Sequence, residues 1–301
     1  MLLLPVFLVV LSGLFPFAHA WGSLGHRTVA YLSTLYSTHP TSPRFLTYFL
    51  NGQDVSEAAL FPDKVAHIPS FAYSRPWHYI DARDSPPHEC AINMTRDCLS
   101  DGCVVSAIAN HTSRVTSHSL PKWQRSQSLR FVLHFVGDIH QPLHTENVDR
   151  GGNEISVLFD GKHTNLHSVW DSLTPNKYRH REEWFNHTAE SEEEAAYLWA
   201  LELFKSDPDP DSCKDECVSD ATDCALEWAE ESNALVCSYV LKDDVVGLQG
   251  RDLGGVYYEG ATGIIDEQIR KGGRRLGMWV DLMAKAWDKE RDGYELEVQE
   301  L

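Results

Sequence analysis

The chain has 301 residues, of which 43% are hydrophobic, and its formal net charge is −18 at pH 7. This length allows a substantial core, and the hydrophobic content is ordinary for a globular protein. The acidic charge argues against a protein that holds nucleic acid by nonspecific surface electrostatics, because that affinity comes from Lys and Arg.

The N-terminus resembles an export signal. Residues 1–17 are almost wholly apolar, and Ala18-His-Ala20 then supplies a cleavage site of the A-x-A type. The run is short for a membrane span, and no later segment is long and apolar enough to cross a bilayer. We therefore expect residues 1–20 to be a signal peptide that is removed, residues 21–301 to form the mature domain, and the protein to be secreted without a membrane anchor.

Other features fit an oxidising export route. The chain has seven cysteines, and its N-x-S/T sequons, which we expect to be glycosylation sites, begin at Asn93, Asn110 and Asn186.

Hydrophobic periodicity and turn residues predict helices through most of the first half. We expect helices over residues 25–36, 44–50, 55–65, 104–117 and 122–138. Pro142 should end or kink the last of these. Residues 75–81 should be extended or irregular, and residues 84–103 should form a loop.

The second half holds the one clear strand signal. The β-branched residues and terminal glycine between Gly151 and Gly161 predict a short hairpin. Further helices are expected over residues 181–185, 192–205, 221–241, 255–271 and 272–288, with residues 206–219 as an acidic surface loop. These elements predict an all-α class: a single mainly helical domain with a short β-hairpin.

Two His/Asp pairs point to a metal site. His134 and Asp138 are four residues apart, as are His167 and Asp171, and His144 lies between the pairs. On a helix this spacing places both members of a pair on one face. Imidazole and carboxylate groups are ligands that suit Zn²⁺.

These pairs lie inside longer motifs. The segments His134-Phe-Val-Gly-Asp138-Ile-His-Gln-Pro-Leu-His144, Gly151-Gly-Asn153 and Asn165-Leu-His167-Ser-Val-Trp-Asp171 resemble the signature of the fungal and plant zinc-dependent single-strand nucleases, the S1/P1 nuclease family. Trp21-Gly-x-x-Gly-His26 resembles the start of the mature chain in that family. The likeness extends to about Trp287 with the motifs in family order, and it implies a phospholipase C/P1 nuclease-like fold.

The resemblance implies three zinc ions per chain. One ion would be held by Asp63, His78, His134 and Asp138. A second would be held by His26, Asp138 and Trp21, the last through its freed α-amine and carbonyl. The third would be held by His144, His167 and Asp171. Asp138 would then bridge two ions. Trp21 serves only after removal of the signal peptide, since a peptide nitrogen is not a ligand.

The resemblance also implies an activity: hydrolysis of phosphodiester bonds in single-stranded DNA and RNA to 5′-phosphorylated products, and of 3′-nucleotides, by a monomer. Asp63 would orient the attacking water as the catalytic residue; alternatively it is a ligand only.

Four further residues are implied to bind substrate. Tyr79 would stack on a base, Asp81 would hydrogen-bond its edge, and Asn153 would touch phosphate or base, unless it only forms a turn. The family has a basic residue near the Asp63 position, and Lys64 and His67 are the candidates here.

The cysteines divide into two groups. The resemblance implies the disulfides Cys90–Cys237 and Cys98–Cys103. Cys213, Cys217 and Cys224 depart from the family pattern, and a disulfide with one free thiol is favoured over a zinc motif because no nearby histidine or second cysteine pair supports a metal site.

Two other classes of protein remain open. A secreted zinc phospholipase C would share the fold and a similar zinc cluster, and hydrolysis of lecithin rather than single-stranded DNA would distinguish it. A non-catalytic secreted zinc-binding protein would show no activity with or without a chelator.

Overall fold

Helices form most of this computed structural model, which describes residues 21–179, 191–209 and 220–299. The α-helices span Ser23–Tyr36, Ser42–Leu50, Val55–Ala59, Phe61–Ala66, Met94–Asp97, Val104–Thr116, Lys122–Asp138, Leu166–Ser168, Thr174–Arg179, Glu192–Lys205, Ala221–Leu235, Asp244–Leu248 and Val256–Gln299. Turns of 3₁₀ helix cover Pro69–His78 and Pro142–Thr145, π-helical turns cover Val169–Leu173 and Val236–Val240, and a short helical turn covers Asp149–Gly152. The predicted fold class is confirmed.

The helix Lys122–Asp138 lies at the centre of the fold. It packs against Ser23–Tyr36, Ser42–Leu50, Val104–Thr116 and Val256–Gln299, among others. Every side chain from Phe131 to Asp138 is buried, so this end of the helix is enclosed on all sides. The predicted bounds of this helix are confirmed. The helix ends shortly before Pro142, because proline has no backbone N–H with which to continue the helical hydrogen bonds.

The predicted hairpin is present, but it begins and ends later than the predicted residues 151–161, at Ser156 and Asn165. Strands Ser156–Phe159 and Lys162–Asn165 pair in antiparallel register, with Val157 opposite Thr164. The two-residue turn Asp160-Gly161 has positive φ angles of 49° and 75°, the geometry that tight hairpins favour. The second strand leads directly into the helical segment that carries His167 and Asp171.

The predicted break between residues 271 and 272 is wrong, because one helix, Val256–Gln299, runs through it. A Cβ on Gly273 would lie 2.2 Å from Leu32 Cβ, and a Cβ on Gly277 would lie 2.7 Å from the Ser33 carbonyl oxygen. These glycines therefore allow two long helices to pack closely instead of ending one of them.

Two smaller predictions need correction. The expected helix over residues 55–65 is two short helices, and the second begins at Phe61-Pro62, where proline is favoured in a first turn. The segment expected to be extended or irregular from residue 75 is a 3₁₀ helix as far as His78, and only Tyr79 begins extended backbone.

Some predictions fall outside the described residues, namely the helix over residues 181–185 and most of the loop over residues 206–219. The structure contains the disulfides Cys90–Cys237 and Cys98–Cys103, and Cys224 is also disulfide-bonded. Cys213 and Cys217 lie outside the described residues. Within the described ranges, no helix combines the length and the apolar character that crossing a membrane requires.

Candidate metal centre

Three groups of buried His and Asp side chains lie beside the C-terminal end of the central helix. Within each group the candidate ligand atoms lie within 4.8 Å of one another: His26, His134 and Asp138; Asp63, His78 and His134; and His144, His167 and Asp171. All the ligands predicted from the sequence except Trp21 belong to these groups. Widely separated segments therefore converge on the two H-x-x-x-D pairs.

Asp138 lies between the first two groups. Its Oδ1 is 3.2 Å from His26 Nε2, whereas its Oδ2 is 3.0 Å from His78 Nδ1 and 3.3 Å from His134 Nε2. The carboxylate thus faces a different set of nitrogens with each oxygen. This is the arrangement that a bridging ligand between two cations needs.

His134 also belongs to both groups, which differs in part from the set implied by the resemblance. Its Nε2 lies 3.3 Å from Asp63 Oδ1 and 3.1 Å from His78 Nδ1, while its ring stacks on His26 at 3.8 Å between centroids. Gly137 permits this stacking, since a Cβ there would lie 2.8 Å from His26 Nδ1.

The third group is formed by two segments of the chain. One is the 3₁₀ turn Pro142–Thr145, which carries His144, and the other is the helical segment that carries His167 and Asp171. His167 Nε2 lies 3.0 Å from Asp171 Oδ2, and His144 Nε2 lies 3.9 Å from Asp171 Oδ1. The Asn165 side chain caps the helical turn that carries His167 by accepting a hydrogen bond from the Ser168 amide at 2.7 Å.

Backbone carbonyls orient three of the imidazoles. The Nδ1 atoms of His134, His144 and His167 lie 2.8, 2.7 and 2.6 Å from the carbonyl oxygens of Ala59, His78 and Gly151. Each Nδ1 donates to its carbonyl when the imidazole is neutral, so each Nε2 presents a lone pair to its group. Histidines that bind metals are held in this way in other proteins.

The close approach at Gly151 requires glycine. Gly151 has a φ of +61°, and a Cβ there would lie only 2.6 Å from the Leu143 carbonyl oxygen. The conformation brings the Gly151 carbonyl to His167 Nδ1. The glycine therefore positions a member of the third group, in addition to forming a turn.

The donor atoms suit a cation. The buried polar atoms in these groups that form no hydrogen bond within the described part of the chain include His26 Nε2, Asp138 Oδ1, His144 Nε2 and His167 Nε2. Burial raises the pKa of Asp138 well above its usual range and lowers the pKa values of His26 and His144. A divalent cation would reverse this by favouring the ionised carboxylate and the neutral imidazole.

Trp21 lies beside the same cluster. It is fully buried, and the amide of the next residue, Gly22, donates to the Asp171 carbonyl oxygen at 2.7 Å. Gly22 begins the turn that leads into the helix carrying His26. The N-terminal end of the predicted mature chain is therefore tied to the segment that carries the third group.

A cavity of about 330 Å³ opens onto these groups. Its lining includes Asp63, His78, His144 and His167 together with the predicted substrate residues Tyr79, Asp81 and Asn153. Tyr79 is 38% exposed, although it follows a buried histidine. Burial raises the pKa of Asp81 above its usual value.

Sequence reasoning missed Gln141. It is fully buried, its side-chain nitrogen donates to Asp171 Oδ1 at 2.5 Å, and its side-chain oxygen accepts from the Leu143 amide at 2.6 Å. Gln141 therefore links the end of the central helix to the third group. Its place inside the His134–His144 motif was the only sequence signal for this role.

The model of the S1/P1 nuclease family matches residues 21–285. The chain is 35% identical over 300 residues to Nuclease S1 of Aspergillus oryzae, covering 94% of this chain and 98% of the relative. It is 37% identical over 271 residues to Nuclease P1 of Penicillium citrinum, covering 87% and 97% of the two chains. Endonuclease 3 of Arabidopsis thaliana is 28% identical over 285 residues, covering 90% and 91%.

Proposed function

The chain belongs to the S1/P1 nuclease family and is a nuclease that hydrolyses phosphodiester bonds, and from this premise we propose that it is a secreted zinc enzyme with three zinc ions. Its substrates would be single-stranded DNA and RNA, cleaved to 5′-phosphorylated products, and 3′-nucleotides. The observation that carries the proposal is the set of three buried His/Asp groups beside a cavity lined by Tyr79 and Asp81.

The proposed ligands follow from these groups. One zinc would be held by Asp63, His78, His134 and Asp138. A second would be held by His26, Asp138 and the freed amine and carbonyl of Trp21. The third would be held by His144, His167 and Asp171. Zinc supplies a Lewis acid that polarises phosphate oxygens and acidifies water. The imidazole nitrogens among these donors suit zinc better than harder cations such as Mg²⁺ and Ca²⁺, which prefer oxygen donors.

Asp63 is the proposed catalytic residue. Its side chain is only 15% exposed, yet it lines the cavity, and its Oδ1 lies 3.3 Å from His134 Nε2. A carboxylate placed there accepts a proton from water and orients its lone pair towards a phosphorus atom. The second carboxylate oxygen would serve this role while the first faces the histidines.

Tyr79 and Asp81 form the proposed base pocket. Successive side chains of an extended segment point to opposite sides, so Tyr79 and Asp81 lie on the same side. The backbone of Tyr79 is held by the Val104 amide, which donates to its carbonyl oxygen at 2.9 Å. A splayed base could stack on the tyrosine ring while the Asp81 carboxyl accepts from its edge, which favours single strands. Asn153 lines the same cavity, and its side-chain nitrogen donates to the Arg150 carbonyl oxygen at 2.8 Å.

Secretion is the proposed location. It rests on the apolar segment over residues 1–17, the Ala18-His-Ala20 site, the disulfides and the sequons. Asn93 and Asn110 are exposed, as glycosylation requires, and Asn186 lies outside the described residues. We also propose that the mature protein is a monomer.

The test compares single-stranded DNA, double-stranded DNA and lecithin as substrates for the purified secreted protein. We expect the single strand to be hydrolysed fastest, the activity to disappear with a chelator, and zinc to restore it. Faster hydrolysis of lecithin would favour the phospholipase. Elemental analysis that finds one zinc or none in active protein would contradict the three-zinc proposal.

A further inference from the structure

A side chain that brings a positive charge to substrate phosphate has to line the cavity, and the Lys64 side chain is held elsewhere. Its ammonium group forms an ion pair with Glu57, and its side chain is 55% exposed. Lys64 is not among the described residues that line the cavity. The sequence-based candidate therefore points to the surface beside the neighbouring helix Val55–Ala59.

Arg75 does line the cavity. Its Nε donates to the carbonyl oxygen of Ala66 at 2.8 Å, and Ala66 ends the short helix Phe61–Ala66 that carries Asp63. Asp63 and Ala66 are three residues apart, so they lie on one side of this helix. The hydrogen bond thus holds the guanidinium one helical turn from a proposed metal ligand.

The other basic side chains on the cavity wall are less well placed. Outside the metal groups, the described lining residues include only His67, Arg75 and Arg150 as basic groups. Arg150 has a guanidinium nitrogen 3.6 Å from the Glu154 carboxylate, and its side chain is 78% exposed. Arg75 is the permanently charged group on the side of Asp63.

We propose that Arg75 binds the phosphate of the substrate and positions it against the metal groups. The inference rests on the proposed function, because it assumes a phosphodiester in this cavity. A guanidinium presents N–H donors in a planar fork that matches two phosphate oxygens. It would also offset the carboxylates of Asp63 and Asp81, which line the same cavity in a protein of net charge −18.

The test uses Arg75→Gln with Lys64→Gln as its matched control, both as full secreted proteins. We expect Arg75→Gln to lower kcat/KM on a single-stranded oligonucleotide by roughly tenfold to a hundredfold, the range for loss of a hydrogen bond to a charged group. Lys64→Gln should stay within about twofold, as a surface ion pair is worth little. Zinc content and Tm should match the wild type in both variants.

Two further readouts separate phosphate binding from a structural role. Inhibition by a nucleoside, which lacks phosphate, should be unchanged in Arg75→Gln, whereas inhibition by the 5′-mononucleotide should weaken. The slope of log affinity against log salt for the oligonucleotide should fall by about 0.7, the value for one phosphate contact of a single strand. Arg75→Lys should recover that slope because it keeps the charge.

The outcomes distinguish this inference from the proposed function. Wild-type kinetics in Arg75→Gln, or equal weakening for nucleoside and nucleotide, would overturn the role of Arg75 while the nuclease assignment stands. Arg75→Lys gives a second test if Arg75→Gln folds poorly. If well-folded Arg75→Lys does not have the wild-type slope of log affinity against log salt, the proposed role of Arg75 is also overturned. A wild-type protein that does not cleave the oligonucleotide would instead overturn the proposed function.

Discussion

Asp138 directs one carboxylate oxygen, Oδ1, at His26 Nε2 over 3.2 Å, and its other oxygen faces a different pair of histidines. The side chain is fully buried, so bulk solvent reaches neither oxygen. A single carboxylate thereby joins two of the three candidate metal groups, and it does so from the last residue of the central helix.

We expect Asp138→Asn to lose the zinc of both groups that share this carboxylate. The amide keeps the shape but removes the charge that offsets repulsion between two adjacent dications. Asp171→Asn is the control and should remove only the third zinc. Both variants are measured for zinc content by elemental analysis and for the rate of hydrolysis of single-stranded DNA. Full zinc content and a near-normal rate in Asp138→Asn would rule out the bridge.

A chain that carries one extra alanine before Trp21 should bind less zinc than a chain that begins at Trp21. The extension turns the terminal amine into a peptide nitrogen, which has no lone pair to offer a metal. Both chains should show the same helical circular dichroism. Equal zinc content in the two would show that the amine is not a ligand.

Tyr79→Ala should weaken binding of single-stranded substrate by about 1–3 kcal/mol, the range for loss of one base–aromatic stack. Zinc content should not change, because Tyr79 belongs to none of the three metal groups. Tyr79→Phe keeps the ring and should bind almost as the wild type does. Substrate affinity measured for both variants would test the stacking role, and equal loss in both would contradict it.

Gly151→Ala should destabilise the protein by about 1–3 kcal/mol through strain at a positive φ and through its clash with the Leu143 carbonyl. It should also weaken the third zinc, since the Gly151 carbonyl orients His167.

Gly161→Ala is the matched control. It has a φ of +75° but nothing within 4 Å of its Cβ, so it carries the strain without the clash. Thermal unfolding and zinc titration should show the larger effect at residue 151, and equal effects would assign the loss to backbone strain alone.

His111 should make the protein less stable in acid. Burial lowers its pKa to about 3, and its ring stacks on Phe131 with 4.6 Å between centroids. Because the folded pKa lies below the unfolded value of about 6.5, the unfolded state binds a proton first as pH falls. The free energy of unfolding therefore falls progressively below about pH 6.5, by about 1.4 kcal/mol for each pH unit.

His111→Phe should remove this part of the acid sensitivity. Between pH 7 and pH 5 the free energy of unfolding should fall by about 2 kcal/mol more in the wild type than in the variant. Denaturant unfolding of both proteins at both values measures the difference, and loss of metal in acid affects both alike. Parallel pH profiles would show that His111 is not the cause.

Local patterns were enough to predict much of this protein. The bounds of the helices over residues 122–138 and 192–205 agree with the structure, because each has a clear start signal: Pro121 precedes the first, and the Ser191 side chain caps the second. The hairpin followed from its β-branched run and the Asp160-Gly161 turn. Local signals failed at Gly272-Gly273, where glycines that usually end a helix serve close packing against Leu32 instead.

By itself, the sequence determined the fold class and the two His/Asp pairs, since each depends on residues that are near in the chain, and it determined the family through motifs that follow one another in order. Only the tertiary structure decided how distant side chains contact those pairs: the His26 ring stacks on His134, Gln141 donates to Asp171, and Arg75 rather than Lys64 lines the cavity. The physical reason is that spacing gives the position of a residue along the chain but not the direction in which its side chain points. The carbonyl oxygen of Ala66 accepts from Arg75 and the carboxylate of Glu57 pairs with Lys64, and no spacing rule records either contact.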